Sequence, residues 1–339
     1  MEKYNIEFAN FVCKFKDDVN FLDRFGEVIV SAFASKQRER QYADTKYFFD
    51  NTMVADVTFG DVTQRVLCGR IIKDTFLKRE QDYIDGKLIY DPKELHSCPS
   101  SYFVVILENH RLIYMNETSD APNIGAFQTT CAKFINDAND EYIRAERDFN
   151  HHQHRVDKHI RRKTLGEIEK ELGMATVRIT PLTMPGALAE QLEAFSVIRS
   201  LSIRILPTNN EELNNDDFFK TLDSNARILN SKPKVNYDKK DNSGLDESGV
   251  AQHAEAATKL GNVGFQINGL GPSKEKLKIT ENDVGVKLQV AGQPPESDVE
   301  KAKIGLTEFS KAIAEKIVAV PDPMDAVRER VRGIRERKL

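Results

Sequence analysis

The sequence contains no tryptophan, only four cysteines and no long apolar run. A transmembrane helix needs about 20 consecutive apolar residues, so we expect no membrane insertion by this chain. Met1-Glu2-Lys3-Tyr4 leads directly into a strand-like pattern and not into the charged and apolar regions of a signal peptide. These absences predict a cytoplasmic protein.

The cysteines also lack the spacing of a redox or metal motif. Cys13, Cys68, Cys98 and Cys131 are far apart, and no C-x-x-C pair occurs. Most of their neighbours are apolar, a pattern typical of free thiols in a reducing compartment. We therefore expect free buried thiols.

Motifs for nucleotide binding and catalysis are missing as well. The glycines of 261–264 and 269–272 do not have the spacing of a phosphate-binding loop, so we interpret them as turn residues. Glu167-Ile168-Glu169-Lys170 combines glutamates with a lysine, as metal-dependent nuclease motifs do, but it follows the helix cap Thr164 and favours a solvated helix face. No G-x-S-x-G, H-E-x-x-H or zinc-deaminase spacing occurs. The sequence predicts a binding protein, not an enzyme, with no catalytic residue, cofactor or metal.

The 339 residues, 40% hydrophobic and 30% charged, are typical of an ordinary globular protein with two domains. Alternating apolar residues in 4–15 predict an opening strand, and apolar spacing in 21–32 predicts a helix that packs on a sheet. Further strands are predicted at 53–60, 64–73, 86–90, 102–107 and 111–115. These elements predict an N-terminal α+β domain over residues 1–123.

Residues 124–174 are predicted to form a charged helical linker, because Phe127, Cys131, Phe134 and Ile135 recur at helical spacing. The helical pattern continues to about Lys163. It has more apolar positions than a lone surface helix requires, which favours a homodimer.

A second α+β domain is predicted over 175–295. Strand 177–180, a helix to about Arg199 and strand 201–206 indicate a βαβ unit. Further predictions are helices at 216–230 and 249–260, a mobile polar stretch at 232–248, and strands at 262–268, 276–280 and 284–291. Residues 296–339 are predicted as a helical tail, interrupted at 321–323, that ends in a basic helix. The fold class is therefore α+β: two mixed domains with mostly antiparallel sheets, packed helices, a helical linker and a helical tail.

The first of two basic clusters lies in a histidine-rich stretch. His151, His154 and His159 cannot face one point on a single helix, and the neighbouring cations would repel a divalent metal. A solvated charged face and a phosphate-binding face are the two interpretations that stay open. The net charge of 151–163 is +4, and its cations are Arg155, Lys158, Arg161, Arg162 and Lys163.

The second basic cluster is close to the carboxyl end of the chain. Val327, Val331 and Ile334 fall at helical spacing beside arginines, which is consistent with an apolar face that docks while the arginines reach phosphates. A purely solubilising role is the alternative. The candidate DNA-binding residues here are Arg328, Arg332, Arg335 and Arg337.

Three segments resemble the RexA-like family of phage-exclusion proteins, whose fold is related to that of the RdgC proteins. They are Ser101-Tyr102-Phe103-Val104-Val105, the strand-helix-strand run from Val177 to Ile205, and Gly264-Phe265-Gln266-Ile267. The resemblance implies a homodimer that binds double-stranded DNA without strong sequence preference and senses infection for a partner effector. It implies no catalysis.

The leading hypothesis is therefore a non-enzymatic, sequence-nonspecific DNA-binding sensor in anti-phage defence. One alternative is a protein-binding module that recognises a phage protein or an effector subunit. The other is a cryptic metal-dependent nuclease, suggested by the abundant carboxylates and histidines.

Overall fold

A computed structural model of the protein describes residues 3–16, 19–184, 186–206, 233–239, 243–258, 263–320 and 322–339, with isolated positions between 221 and 241. The described residues form helices and two antiparallel sheets, which confirms the predicted α+β class. Among them, none of the helices has the length and apolar character that a membrane span requires.

The described residues contain fourteen strands. They are, in chain order, β1 Lys3–Lys14, β2 Arg40–Tyr42, β3 Thr45–Phe59, β4 Val62–Ile84, β5 Lys87–Ser97, β6 Ser100–Ile106, β7 Arg111–Asn116, β8 Thr176–Pro181, β9 Val197–Ile205, β10 Lys234–Asp238, β11 Val263–Leu270, β12 Lys276–Thr280, β13 Lys287–Ala291 and β14 Arg337–Lys338.

The helical elements begin with a short mixed segment, in which a 3₁₀ turn at Leu22–Arg24 and a π turn at Phe25–Ile29 precede α1. The helices are α1 Val30–Ala32, α2 Ile124–Val156, α3 Leu165–Leu172, α4 Ala187–Leu192, α5 Glu247–Thr258, α6 Asp298–Ala314 and α7 Asp325–Gly333.

The larger sheet has the order β13-β1-β7-β6-β4-β3-β14, with β2 paired to β3, β5 to β4 and β8 to β1. One edge of β1 is shared, because its first residues pair with β13 and its last residues pair with β8. Strands from distant parts of the chain therefore complete a single sheet.

Both faces of the larger sheet are covered, and β6 shows why. Phe103 and Val105 face the core beneath α2, whereas Tyr102, Val104 and Ile106 face the core beneath α6. Successive side chains of a strand point to opposite faces, so an unbroken apolar strand is expected at the centre of a three-layer arrangement.

The smaller sheet has the order β10-β9-β11-β12. Its core contains Ile203, Phe265 and Ile267 from the strands, Leu192 from α4 and Val250 from α5. The two helices pack against each other and cover the sheet, so this part of the chain is a compact α+β unit.

The larger sheet draws strands from several of the predicted segments. Strands β8 and β13 lie within 175–295 but pair with the opening strand, and α6 and β14 of the tail also pack on the larger sheet. The βαβ prediction was wrong because β8 and β9 belong to different sheets. An open edge of β1 accepts β8, and local spacing in the sequence does not reveal that pairing.

Several element bounds also differ from the predictions. The helix expected to reach Arg199 ends at Leu192, and the alternating residues from Val197 start β9. The stretch 232–248 was expected to be mobile, but Lys234–Asp238 form β10 against β9. The predicted helix at 216–230 lies mostly outside the described residues.

Candidate functional site

A helical hairpin formed by α2 and α3 carries the first basic cluster. Asn123 caps α2 by accepting a hydrogen bond from the Ala126 amide, and the buried residues of α2 end at Ile143. The 13 residues from there to Val156 include no buried side chain, and at a helical rise of about 1.5 Å per residue they extend about 20 Å beyond the core. The helix predicted to continue to about Lys163 ends at Val156, and α3 then returns along it.

The histidines fold the connecting loop back onto α2. His151 Nε2 donates to the Lys163 carbonyl at 2.9 Å, and His154 Nδ1 donates to the Ile160 carbonyl at 2.7 Å. Asn150 accepts a 2.7 Å hydrogen bond from the Lys163 amide and donates to the Arg161 carbonyl at 3.2 Å. These ring nitrogens are engaged by backbone oxygens, so the histidines position the loop.

The hairpin brings together all five cations of the first cluster, which we call the basic tip: Arg155, Lys158, Arg161, Arg162 and Lys163. Arg161 pairs with Glu167 and Lys163 pairs with Glu171, both on α3. Among the described residues, Arg155, Lys158 and Arg162 have no carboxylate partner, and all three are exposed. The basic tip therefore retains positive charge that its own helices do not neutralise.

The second cluster is arranged differently. Arg328 and Arg332 form ion pairs of 3.2 and 3.4 Å with Asp325 and Glu329 on the same helix. The helix predicted to reach the end of the chain stops at Gly333, and Arg337 lies in β14 opposite Val54 of β3. Backbone pairing with the free edge of β3 replaces the helix there.

The apolar side of α7 docks on this chain's own core. Val331 is buried in the core cluster that α2 also lines, and Val327 and Ile334 are partly buried against that cluster. Arg335 is exposed and has no ion pair among the described residues. The apolar face that was predicted to dock therefore makes its contact within this chain.

Arg65 of β4 fixes the end of α7, a role that the sequence pattern did not indicate. Its guanidinium donates to the Val331 carbonyl at 3.1 Å and also to the Ile334 carbonyl. The same group forms a bidentate pair with Asp56 at 2.6 and 2.7 Å, and this hydrogen bonding lowers the pKa of that carboxyl. The last carbonyls of a helix need such donors.

The two basic clusters are separate surfaces. Arg330 of α7 pairs with Asp23, and the neighbouring Arg24 lies 4.9 Å from the centre of the Tyr142 ring on α2. From Tyr142 to Arg155 the helix advances about 20 Å. Among the described residues no hydrogen bond or ion pair joins the clusters.

A polar groove of about 900 Å³ lies where β1, β4, β7 and α6 meet. Within it, Glu117 binds Lys301 and Arg70, and Arg70 also contacts Asp298 at 2.6 Å. Burial alone would raise the pKa of Glu117, but hydrogen bonds from Lys301 and Ser100 and the charge of Arg70 lower it below the ordinary value of 4.5. Two cations and two carboxylates balance each other, so the network is structural in character.

The outer parts of β4 and β5, residues 75–97, project as a two-stranded ribbon that we call the β-arm. Beyond Asp74, β4 pairs only with β5, and β5 has no other neighbour among the described residues. Its apolar side chains are largely exposed: Tyr83 70%, Leu88 65%, Tyr90 74% and Leu95 65%. Both strands are longer than the predicted 64–73 and 86–90, because charged residues interrupt their apolar pattern.

No protein-family model matches the chain, and no curated protein matches its sequence. The described residues present the basic tip, the polar groove and the β-arm as candidate binding surfaces. The tip carries uncompensated charge, the groove is internally neutral, and the arm is apolar.

Proposed function

We propose that this protein is a non-enzymatic binding protein whose basic tip binds the phosphates of DNA without selecting bases. One observation carries the proposal: Arg155, Lys158 and Arg162 are exposed and uncompensated at the end of a hairpin that extends beyond the core. When such residues contact phosphates, the counterions condensed on the DNA are released, and this release drives sequence-independent binding.

The histidine hydrogen bonds support the proposal because they hold the tip in one conformation before a ligand arrives. A preordered loop loses less entropy on binding than a free one does. The resemblance to RexA-like proteins suggests the setting, a DNA-binding sensor of phage infection that works with an effector. The basic tip contributes the first contact with DNA, and the C-terminal arginines are a second basic surface for the same ligand.

The test is a charge-neutralising triple variant, Arg155→Gln with Lys158→Gln and Arg162→Gln. Each lost phosphate contact should make the negative slope of log affinity against log salt shallower by about 0.9, so the loss of three contacts makes it shallower by about 2.7. Fluorescence anisotropy with unrelated labelled duplexes, between about 50 and 200 mM salt, measures that slope.

The matched control neutralises three exposed lysines: Lys276 and Lys278 in β12 of the smaller sheet, and Lys274 in the turn before it. It removes the same charge from a different surface, so the wild-type slope should persist. Equal slopes for both triple variants would refute the basic tip as the DNA-binding surface. Duplex cleavage that requires Mg²⁺ would replace the binding proposal with the nuclease alternative.

The β-arm favours a second candidate function, docking of a protein partner, and we assign it first to a second copy of this chain. The apolar stripe of α2 that suggested a homodimer is buried in the chain's own core and no longer supports one. The arm does, because a lone two-stranded ribbon with a free edge is marginally stable in water. Residues 78–94 carry four cations and five carboxylates, a mixture that complements itself.

A further inference from the structure

Three side chains of different chemistry meet where the β-arm leaves the larger sheet. Thr75 is opposite Ser97 and Phe76 is opposite His96, so the same register places Asp74 opposite Cys98. Residues two apart on a strand share a face. Asp74, His96 and Cys98 therefore project from one side of the ribbon.

The ligand atoms of these side chains lie within 4.8 Å of one another. His96 Nε2 is 2.6 Å from Asp74 Oδ1, and Cys98 Sγ is 3.7 Å from His96 Nε2 and 4.0 Å from Asp74 Oδ1. Zinc binds sulfur at about 2.3 Å, and nitrogen or oxygen at about 2.0–2.2 Å, so its tetrahedral ligand atoms are about 3.3–3.6 Å apart. For zinc to bind, the two distances from Cys98 Sγ would have to shorten slightly. The 2.6 Å contact between His96 and Asp74 would lengthen, because the metal replaces that hydrogen bond.

The donor set also discriminates between metals. A thiolate, an imidazole and a carboxylate suit a borderline-soft ion, whereas magnesium and calcium prefer oxygen ligands alone. Three protein ligands leave a fourth position for water. The Phe76 ring lies 5.2 Å from the His96 ring and restricts its orientation.

We propose that Asp74, His96 and Cys98 bind a divalent cation of the zinc class at the base of the β-arm. The ion would join β4 to β5 at the point where the arm loses its other neighbours. Cys98 differs from the other three cysteines in being exposed, which corrects the expectation of a buried thiol at this position. The histidine-rich stretch is not this site, because His151 and His154 bind backbone carbonyls.

Binding through the Cys98 sulfur requires the thiolate, so a cation that occupies this site releases a proton from the thiol. An ordinary His–Asp surface pair accounts for the 2.6 Å contact but gives no role to the cysteine beside it.

The experiment is a Co²⁺ titration of the reduced, chelator-treated full chain. We expect one equivalent to produce a thiolate-to-cobalt charge-transfer band and the intense visible bands of a tetrahedral site, which Zn²⁺ then removes. Cys98→Ser should abolish the charge-transfer band, and Asp74→Asn should weaken Co²⁺ binding at least tenfold.

His152→Gln is the matched control, since it removes an exposed histidine from the histidine-rich stretch. This variant should bind Co²⁺ as the wild type does. Absence of a thiolate band in the wild-type protein, or its persistence in Cys98→Ser, would overturn the proposal. Binding that is lost only in His152→Gln would assign the metal to the other stretch and would equally overturn it.

Discussion

Replacing Glu117 by Gln tests the ion network of the polar groove. Lys301 has a side chain only 4% exposed, and Glu117 is 10% exposed. Removing one partner of a buried ion pair costs about 3–5 kcal/mol because the other charge stays buried. Asp298 lies 3.8 Å from Lys301 and retains part of the compensation, so we expect a loss of about 3 kcal/mol in unfolding free energy.

The assay is urea unfolding followed by circular dichroism and tyrosine fluorescence, since the chain has no tryptophan. Glu308→Gln is the matched control. Glu308 pairs with Lys311 on the same helix, but that lysine is 59% exposed, so the change should cost less than about 1 kcal/mol. In the double variant with Lys301→Met the two losses should not add, because both remove the same pair.

The pH dependence gives an independent check. The folded-state pKa of Glu117 lies below its unfolded value, so its contribution is fully present above the unfolded pKa. That contribution is lost as the pH falls through the lower, folded-state pKa. The difference between wild type and Glu117→Gln should therefore shrink in strong acid. A difference equal to that of Glu308→Gln, or one independent of pH, would refute the reasoning.

Two further predictions concern the β-arm and the core. Replacing Leu88 and Tyr90 by Ser should shift the chain from dimer to monomer in light scattering without changing its circular dichroism, and a monomeric wild type would contradict the docking proposal. Phe49→Ala should lower the unfolding free energy by about 3–5 kcal/mol, because Phe49 is buried among four other phenylalanine rings. Phe149→Ala, on the exposed part of α2, should change it little, and equal losses would argue against this core arrangement.

Local sequence patterns predicted the elements whose periodicity or cap lies within the element itself. The alternation in 4–15 corresponds to β1, and the helical spacing from Ile124 corresponds to the buried part of α2. Helix α3 begins at the cap Thr164, whose side chain and that of Glu167 form a capping box. Signals of this kind lie within a few residues of one another, so the sequence alone reveals them.

Non-local pairing was not predictable in the same way. The edge of β1 pairs with β8 and β13, and the edge of β3 pairs with β14. The sequences of β8, β13 and β14 do not indicate which strand each one pairs with. The basic tip was predicted as a charged stretch, but its projection depends on where α2 leaves the core. Asp74 and Cys98 are 24 positions apart and meet only through the register of the arm.

The pairing of β1 with β13 has a consequence during synthesis. Lys3 to Glu7 have their partners at 287–291, so about 280 residues must be translated before that edge is covered. At about 5–20 residues per second, the opening strand leaves the ribosome roughly 15 to 60 seconds before its partner. An apolar strand with an unpaired edge is prone to aggregate in that interval. Closure of this edge is therefore expected to benefit from a chaperone that holds β1 until β13 has been made.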